Sequence, residues 1–369
     1  MNKKLITLKI IVTSIILFLI TFINQEKMSK KYDFETTLSR KGQGSFKWEA
    51  MYREVPNLSD DIVPFSVADM ELKIAPEIRE GLKKYIDEAK PDFIKIMSDG
   101  FFGHPSLCKS TITTLEQLKE VQSVGENHPW IQAQVDYVKE ICAHAGKDVY
   151  KYYNIFSPLQ YIRLRFEEYD EDFTKFTRLF KEDPKAMIMV AKRIAEDTKA
   201  LVKRLFTETD VDGIYYSVQC VQDKSFTEEV HKERVQPLDL EVLNEILQYT
   251  DNVLLHICGY GKYTNRLEWY KDYPVKAFNW AIYSENISLA EGKKILNNKP
   301  VFGGFDNAEG SLLYTGTKEE IKKEIYRILD ESGTKGVGLG ADCTIREDID
   351  LERLQWIKDI SAEYAKEKK

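Results

Sequence analysis

Residues 254–261 read LLHICGYG. An apolar run delivers His256 and Cys258 two residues apart, then meets a glycine turn. On an extended strand, positions two apart face the same side, so imidazole and thiol are presented together. Imidazole with two thiolates is a soft, zinc-selecting donor set, and three protein ligands leave a fourth position for a substrate. A thiol bound there loses its proton and becomes a nucleophile at neutral pH. The second thiolate is Cys343, which follows the run GVGLGAD (336–342). The plainer reading of His-x-Cys is a core strand, with a buried histidine bonded to a backbone carbonyl beside a small apolar cysteine. Spacing alone leaves both open, and Cys343 at the end of another strand weighs toward a site.

Other polar residues cluster at similar places. Asp99 follows DFIKIM (92–97) and Ser98, with Gly100 behind it. A buried carboxylate is costly unless paired, so Asp99 either faces a substrate or caps a loop. Asn279 lies in AFNWAI (277–282), and Ser217, Gln219 and Cys220 end GIYYSVQ (213–219). His104, in FFGHP, lines the same mouth or sits in a solvated loop, the loop being the preferred reading. His128, His144 and His231 stand in helical or polar contexts and read as surface, and Cys108 and Cys142 as packing.

The elements that must position these groups can be counted. Seven short runs rich in β-branched and aromatic residues, bounded by Gly, Asp or Pro, read as strands: 92–97, 151–156, 213–219, 252–258, 277–282, 301–306 and 336–342. Helical patterns lie between them, such as 240–250 and 318–333, the latter with Ile321, Ile325, Ile328 and Leu329 on one face. Strand–helix alternation implies a parallel sheet. Seven strands is one short of a closed barrel, whose functional groups gather at the C-terminal strand ends. IVPFSVA (62–68), followed by the helical pattern 76–88, supplies an eighth strand in a βαβ unit. The alternative is an open seven-stranded barrel with an unrelated N-terminal appendage.

Composition narrows the function classes. The chain has 369 residues, 43% hydrophobic and 31% charged, enough for one large domain and something more. Its net charge of −7 is spread in both signs, with no basic run, which argues against nucleic acid as a partner. Five widely spaced cysteines do not form a disulfide framework and suit the cytoplasm. Residues 1–27 differ: from Leu5 to Ile23 only Lys9 is charged, close to the ~20 residues a membrane helix needs. No cleavage pattern follows. The segment is an uncleaved anchor at a membrane or an over-extended start ahead of Met28.

Residues 89–369 resemble the uroporphyrinogen decarboxylase superfamily, which includes zinc-dependent methyltransferases that move a methyl group from a corrinoid to a thiol such as coenzyme M. PDFIKIMSDGFF, KYYNIFSP, GIYYSVQ, LLHICGYG, the segment around FNWAI, VFGGFDN and GADCTIREDIDLERLQWI carry the resemblance, in family order. It implies a TIM (β/α)8 barrel. From the methyltransferase branch it implies zinc held by His256, Cys258 and Cys343, with a corrinoid protein as partner and a small-molecule thiol as acceptor; Asp99 and Asn279 are expected to face the substrate. The decarboxylase branch, acting on a tetrapyrrole, matches at Asp99. Its arginine loop has no counterpart here, Tyr161 is out of register with its tyrosine, and Ala341 stands at its histidine. A many-carboxylate substrate needs forked cationic partners, so decarboxylation is the weaker alternative.

Residues 32–88 resemble the N-terminal segment of cystathionine β-lyase-type aminotransferases. The lysine that would hold pyridoxal phosphate in that family lies in a part this chain lacks, so no pyridoxal chemistry is expected. Lys47, Trp48 and Asp69 are then relics. The chain reads as a fusion of a hydrophobic segment (1–27), a truncated aminotransferase-like segment (28–88) and a barrel (89–369) whose first strand is replaced by 62–68. An inactive fusion product is the non-enzymatic alternative.

Overall fold

The computed structural model describes residues 76–98, 101, 103–108, 112–169, 172–259, 264–345 and 349–368. The hydrophobic run 5–23, the candidate strand 62–68, most of the aminotransferase-like segment, and Asp99 lie outside the described residues.

All seven strand runs in the described part form strands: β1 (Phe93–Ile96), β2 (Tyr150–Phe156), β3 (Gly213–Val218), β4 (Val253–Ile257), β5 (Ala277–Trp280), β6 (Val301–Phe305) and β7 (Val337–Ala341). They make one sheet in chain order, and every pairing is parallel. The main helices are α1 (Pro76–Ala89) before β1, then α2 (Pro129–Ala145), α3 (Pro184–Glu208), α4 (Gln236–Ile246) and α5 (Lys318–Ser332) in crossovers between strands, and α6 (Leu351–Glu367) after β7. This is the α/β arrangement that the alternation implies. In α5 the expected stripe of Ile321, Ile325, Ile328 and Leu329 is buried, and Thr317 with Glu320 forms a capping box at its start. One helix differs from expectation. The pattern at 240–250 belongs to α4, which starts earlier because Pro237 suits a first helical turn, and which ends at Ile246.

The sheet curls strongly. The rings of Phe93 on β1 and Phe302 on β6 meet at 4.8 Å between centroids. In a flat sheet, strands five places apart would be about 24 Å apart. Lys95 of β1 donates to Thr344 Oγ1, just past β7, at 3.2 Å, and α1 packs against α6. The seven strands thus form a curled parallel half-barrel, consistent with a TIM barrel, with β1 and β7 as its two edges.

Two histidines depart from the sequence reading. His104 is fully buried, with Nε2 3.0 Å from Asp197 Oδ2. Asp197 also accepts from Ser123 Oγ and from the Val124 and Gly125 amides. Burial raises the Asp197 pKa, but these hydrogen bonds outweigh it and hold the carboxyl below its ordinary value. Gly103, His104 and Pro105 are therefore packed into the core and form no solvated loop. His231 is buried too, 3.2 Å from Tyr273 Oη, and burial pushes its pKa down to about 4. Its polar sequence neighbours hid an inward-turned ring. His144 is exposed and pairs with Asp87, as a surface residue would. Cys108, Cys142 and Cys220 are buried.

Candidate metal centre

β4 is buried at all five positions, and His256 stands in register with Ser217 on β3 and Asn279 on β5. Cys258 lies just past the strand end. Its amide continues the ladder by donating to the Val218 carbonyl at 3.1 Å. Its own carbonyl accepts from Gln222 Nε2 at 3.1 Å and Asn265 Nδ2 at 2.8 Å. Asn265 is in turn gripped by Glu285, through its amide at 2.7 Å and Nδ2 at 2.6 Å. The thiol therefore projects from a backbone fixed on both sides.

Cys343 arrives from the opposite side of the curl. The preceding residue, Asp342, donates its amide to the Phe305 carbonyl at 2.8 Å and accepts the Tyr283 amide at 3.1 Å. Burial pushes the Asp342 carboxyl up to about 7, against the backbone amides that favour its charge. One ligand atom from each of His256, Cys258 and Cys343 lies within 4.8 Å of the other two. His256 Nε2 is 3.5 Å from Cys343 Sγ. The hydrogen bond from Cys258 holds the Cys343 thiol well below its ordinary value; burial opposes this, and His256 and Lys95 add to it.

The imidazole orientation is set from behind. Asn279 is fully buried, and its Nδ2 donates to the Phe302 carbonyl at 2.9 Å and the Ala341 carbonyl at 3.3 Å. That fixes which way the amide faces and leaves Oδ1 as an acceptor. His256 Nδ1 lies 2.5 Å from this oxygen and Tyr215 Oη donates to it at 2.6 Å. Nδ1 therefore carries the proton, and Nε2 turns its lone pair toward the two sulfurs. A histidine whose second nitrogen donates to an oxygen behind it is the ordinary arrangement of a metal ligand. The donor set, its spacing and this tautomer fit a zinc ion. Asn279 spends its amide on the protein, behind His256. The amide sits where the β5–β6 pairing ends, at Asn279–Phe302. There Gly303 turns away at φ +147°, and a Cβ on it would meet Asn279 Nδ2 at 3.4 Å.

Comparison with known proteins agrees on the scaffold. No family model and no curated sequence matches the chain. The chain is similar in structure to a methyltransferase from Methanosarcina mazei. The TM-score is 0.55 and the identity 15%, over 67% of this chain and 69% of that one. A B12-independent methionine synthase from Shewanella sp. W3-18-1, in complex with selenomethionine, aligns at TM-score 0.43 and 14% identity, over 63% of this chain and 67% of that one. At such identity the first likeness shows a shared fold. Neither speaks for the aminotransferase resemblance.

Two site neighbours escaped the sequence reading. Tyr215 lies two residues before Ser217 and so on its face. Lys95 lies on β1, with Nζ 4.2 Å from the centre of the Tyr215 ring. The alternation Phe93, Lys95, Met97 was its only signal. A polar chain continues around the wall: Ser217 Oγ donates to Asn154 Oδ1 at 2.8 Å, and Asn154 Nδ2 to Ser98 Oγ at 3.3 Å. Tyr161 is packed in the core among the rings of His104, Trp130 and Phe156. Among the described residues no helix is long and apolar enough to cross a membrane.

Proposed function

We propose that the chain is a zinc-dependent methyltransferase that passes a methyl group from a methylated corrinoid, carried by a partner protein, to a small thiol. The observation that carries this reading is the convergence of His256, Cys258 and Cys343 at the C-terminal ends of β4 and β7, within 4.8 Å of one another. In a fold of this kind that end is where chemistry sits. The likeness to a methyltransferase fold supports the reaction class.

The three side chains would hold zinc and leave a fourth position toward the mouth, where it would keep an acceptor thiol deprotonated at neutral pH. Asn279 and Tyr215 hold the imidazole in the Nδ1–H tautomer, so Nε2 is available as donor. The clamps on Cys258 and Asp342 fix the two sulfurs. A methylated corrinoid would supply an electrophilic methyl group whose Co–C electron pair would stay with cobalt, and His256, Cys258 and Cys343 would hold the acceptor sulfur as the thiolate that receives it. Asp99 is proposed to face the substrate, and Asn279 to act from behind His256.

The test is direct. Protein with one equivalent of zinc, mixed with methylcobalamin and 2-mercaptoethanol, is expected to convert the methylcobalamin spectrum. Loss of that conversion in Cys258→Ala and Cys343→Ala would support the assignment. An unchanged spectrum with the zinc-loaded protein would contradict it.

A further inference from the structure

His256 and Cys258 come from the end of β4 and Cys343 from the end of β7, strands that are not neighbours in the sheet. β5 lies between them and supplies none of the three. One short stretch that starts on β5 nevertheless reaches all three. After β5 (Ala277–Trp280) and Ala281 comes a one-turn helix, Ile282–Glu285. Asn279 holds the His256 ring through Oδ1. The Tyr283 amide donates to Asp342 Oδ2 at 3.1 Å, and Asp342 is the residue before Cys343. Glu285 is buried and accepts the Asn265 amide at 2.7 Å and Asn265 Nδ2 at 2.6 Å. That same Nδ2 donates to the Cys258 carbonyl at 2.8 Å.

The stretch is itself held in place. Asn279 and Trp280 are fully buried, and Trp280 Nε1 donates to the Ile287 carbonyl at 3.0 Å, beyond the helix. Asn286 ends the helix in a left-handed conformation at φ +55°, with its amide bonded back to the Ile282 carbonyl. The chain leaving Cys258 also runs directly against the stretch. A Cβ on Gly259 would lie 2.2 Å from the Ala281 Cβ. Both oxygens of Glu285 are committed to Asn265, and a buried carboxylate is costly without such bonds. An amide there would turn an NH2 group toward one of the two donors.

We propose that residues 279–285 are the template that sets the spacing of the three ligands, with Glu285 as the positioning residue for Cys258, acting through Asn265. This step rests on the metal reading above. It assigns a role to a stretch that carries no ligand and to a carboxylate that does not face the metal.

The test titrates the full chain with cobalt(II), whose sulfur-to-metal charge-transfer absorption reports bound thiolate, while a competing chelator reports affinity. Glu285→Gln is expected to bind cobalt about tenfold more weakly, the lower end for loss of a partner behind a ligand. Its thiolate absorption per bound cobalt should fall as well, since Cys258 is the ligand released. Gly259→Ala should lose both readings in the same way, and adding Ala281→Gly, which removes the clashing Cβ, should restore them. Wild-type affinity and absorption in Glu285→Gln would overturn the proposal. So would a loss in Gly259→Ala that Ala281→Gly does not repair, since a contact with the template would then not be its cause. Wild type that shows no thiolate absorption with cobalt would sink the metal reading itself, a result distinct from the other two.

Discussion

The two sides of the candidate metal centre are built differently. β3 and β4, which carry Tyr215 and His256, are buried at every position. They are flanked on both sides by paired strands within one large apolar core. β7, which delivers Cys343, is half-buried at four of its five positions and is an edge of the described sheet. It packs with α5 and α6 on a second, smaller core around Ile321, Ile325 and Ile360. The imidazole side is thus fixed by the sheet, whereas Cys343 is fixed by a few bonds at one strand end. A metal bound by both sides would tie the less supported one to the better supported one, which couples metal binding to the stability of the β7 edge.

The largest break in this arrangement is removal of the crossing ligand. Cys343→Ala is expected to abolish stoichiometric zinc after gel filtration, measured by metal analysis, because two ligands from one strand do not close a site. Zinc removal from wild type should then raise hydrogen exchange across 337–345 more than across β4. Equal change on the two sides would remove the contrast between them.

Glycine substitutions sharpen the same comparison. A Cβ at Gly213 on β3 would meet the Asn252 carbonyl oxygen, a backbone atom, at 2.3 Å. A Cβ at Gly340 on β7 would meet the far edge of the Phe302 ring at the same 2.3 Å. Backbone cannot yield as a side chain can, so Gly213→Ala should cost roughly 3 kcal/mol and Gly340→Ala about 1 kcal/mol in denaturant unfolding. The reverse order would mean that β7 is the stiffer side.

Asn279 joins the two sides, since its amide touches His256, the β6 backbone and the last residue of β7. Asn279→Ala should weaken zinc affinity roughly 10–100-fold, as loss of a partner behind a ligand does. Competition with a chromophoric chelator measures it. An unchanged affinity would show that His256 needs no support from behind.

The smallest effect concerns a buried carboxylate on the well-supported side. Asp239 is pushed up to about 7 by burial, against the hydrogen bonds donated by the Tyr273 and Tyr216 hydroxyls. A folded-state pKa above the unfolded one means stability is greatest below the unfolded value. It declines as pH rises from about 4 through about 7. Asp239→Asn should flatten that decline, read as Tm against pH. A parallel pH profile in the variant would contradict the assignment.

Much of this arrangement was legible in the sequence. Strands announced themselves because each is a short β-branched or aromatic run between turn residues, and His256 and Cys258 share a face because a strand repeats every two residues. What a single strand cannot show is its partners. Lys95 meets Tyr215 only once the sheet has curled. His104 is buried because Asp197, 93 residues on, receives it, and His231 because Tyr273, 42 residues on, does. Asn279 read as a substrate-facing polar group, yet its contacts lie across β4, β6 and β7. These are long-range pairings, and local polarity carries no trace of them.

The central claim is that imidazole and two thiolates from the two sides close on one metal ion. X-ray absorption at the zinc edge of the purified, zinc-loaded chain tests it most directly. The expected first shell holds two sulfurs at about 2.3 Å and nitrogen at about 2.0–2.1 Å, at one zinc per chain, with one sulfur lost in Cys343→Ser. A first shell without sulfur, or one unaltered by Cys343→Ser, would contradict it.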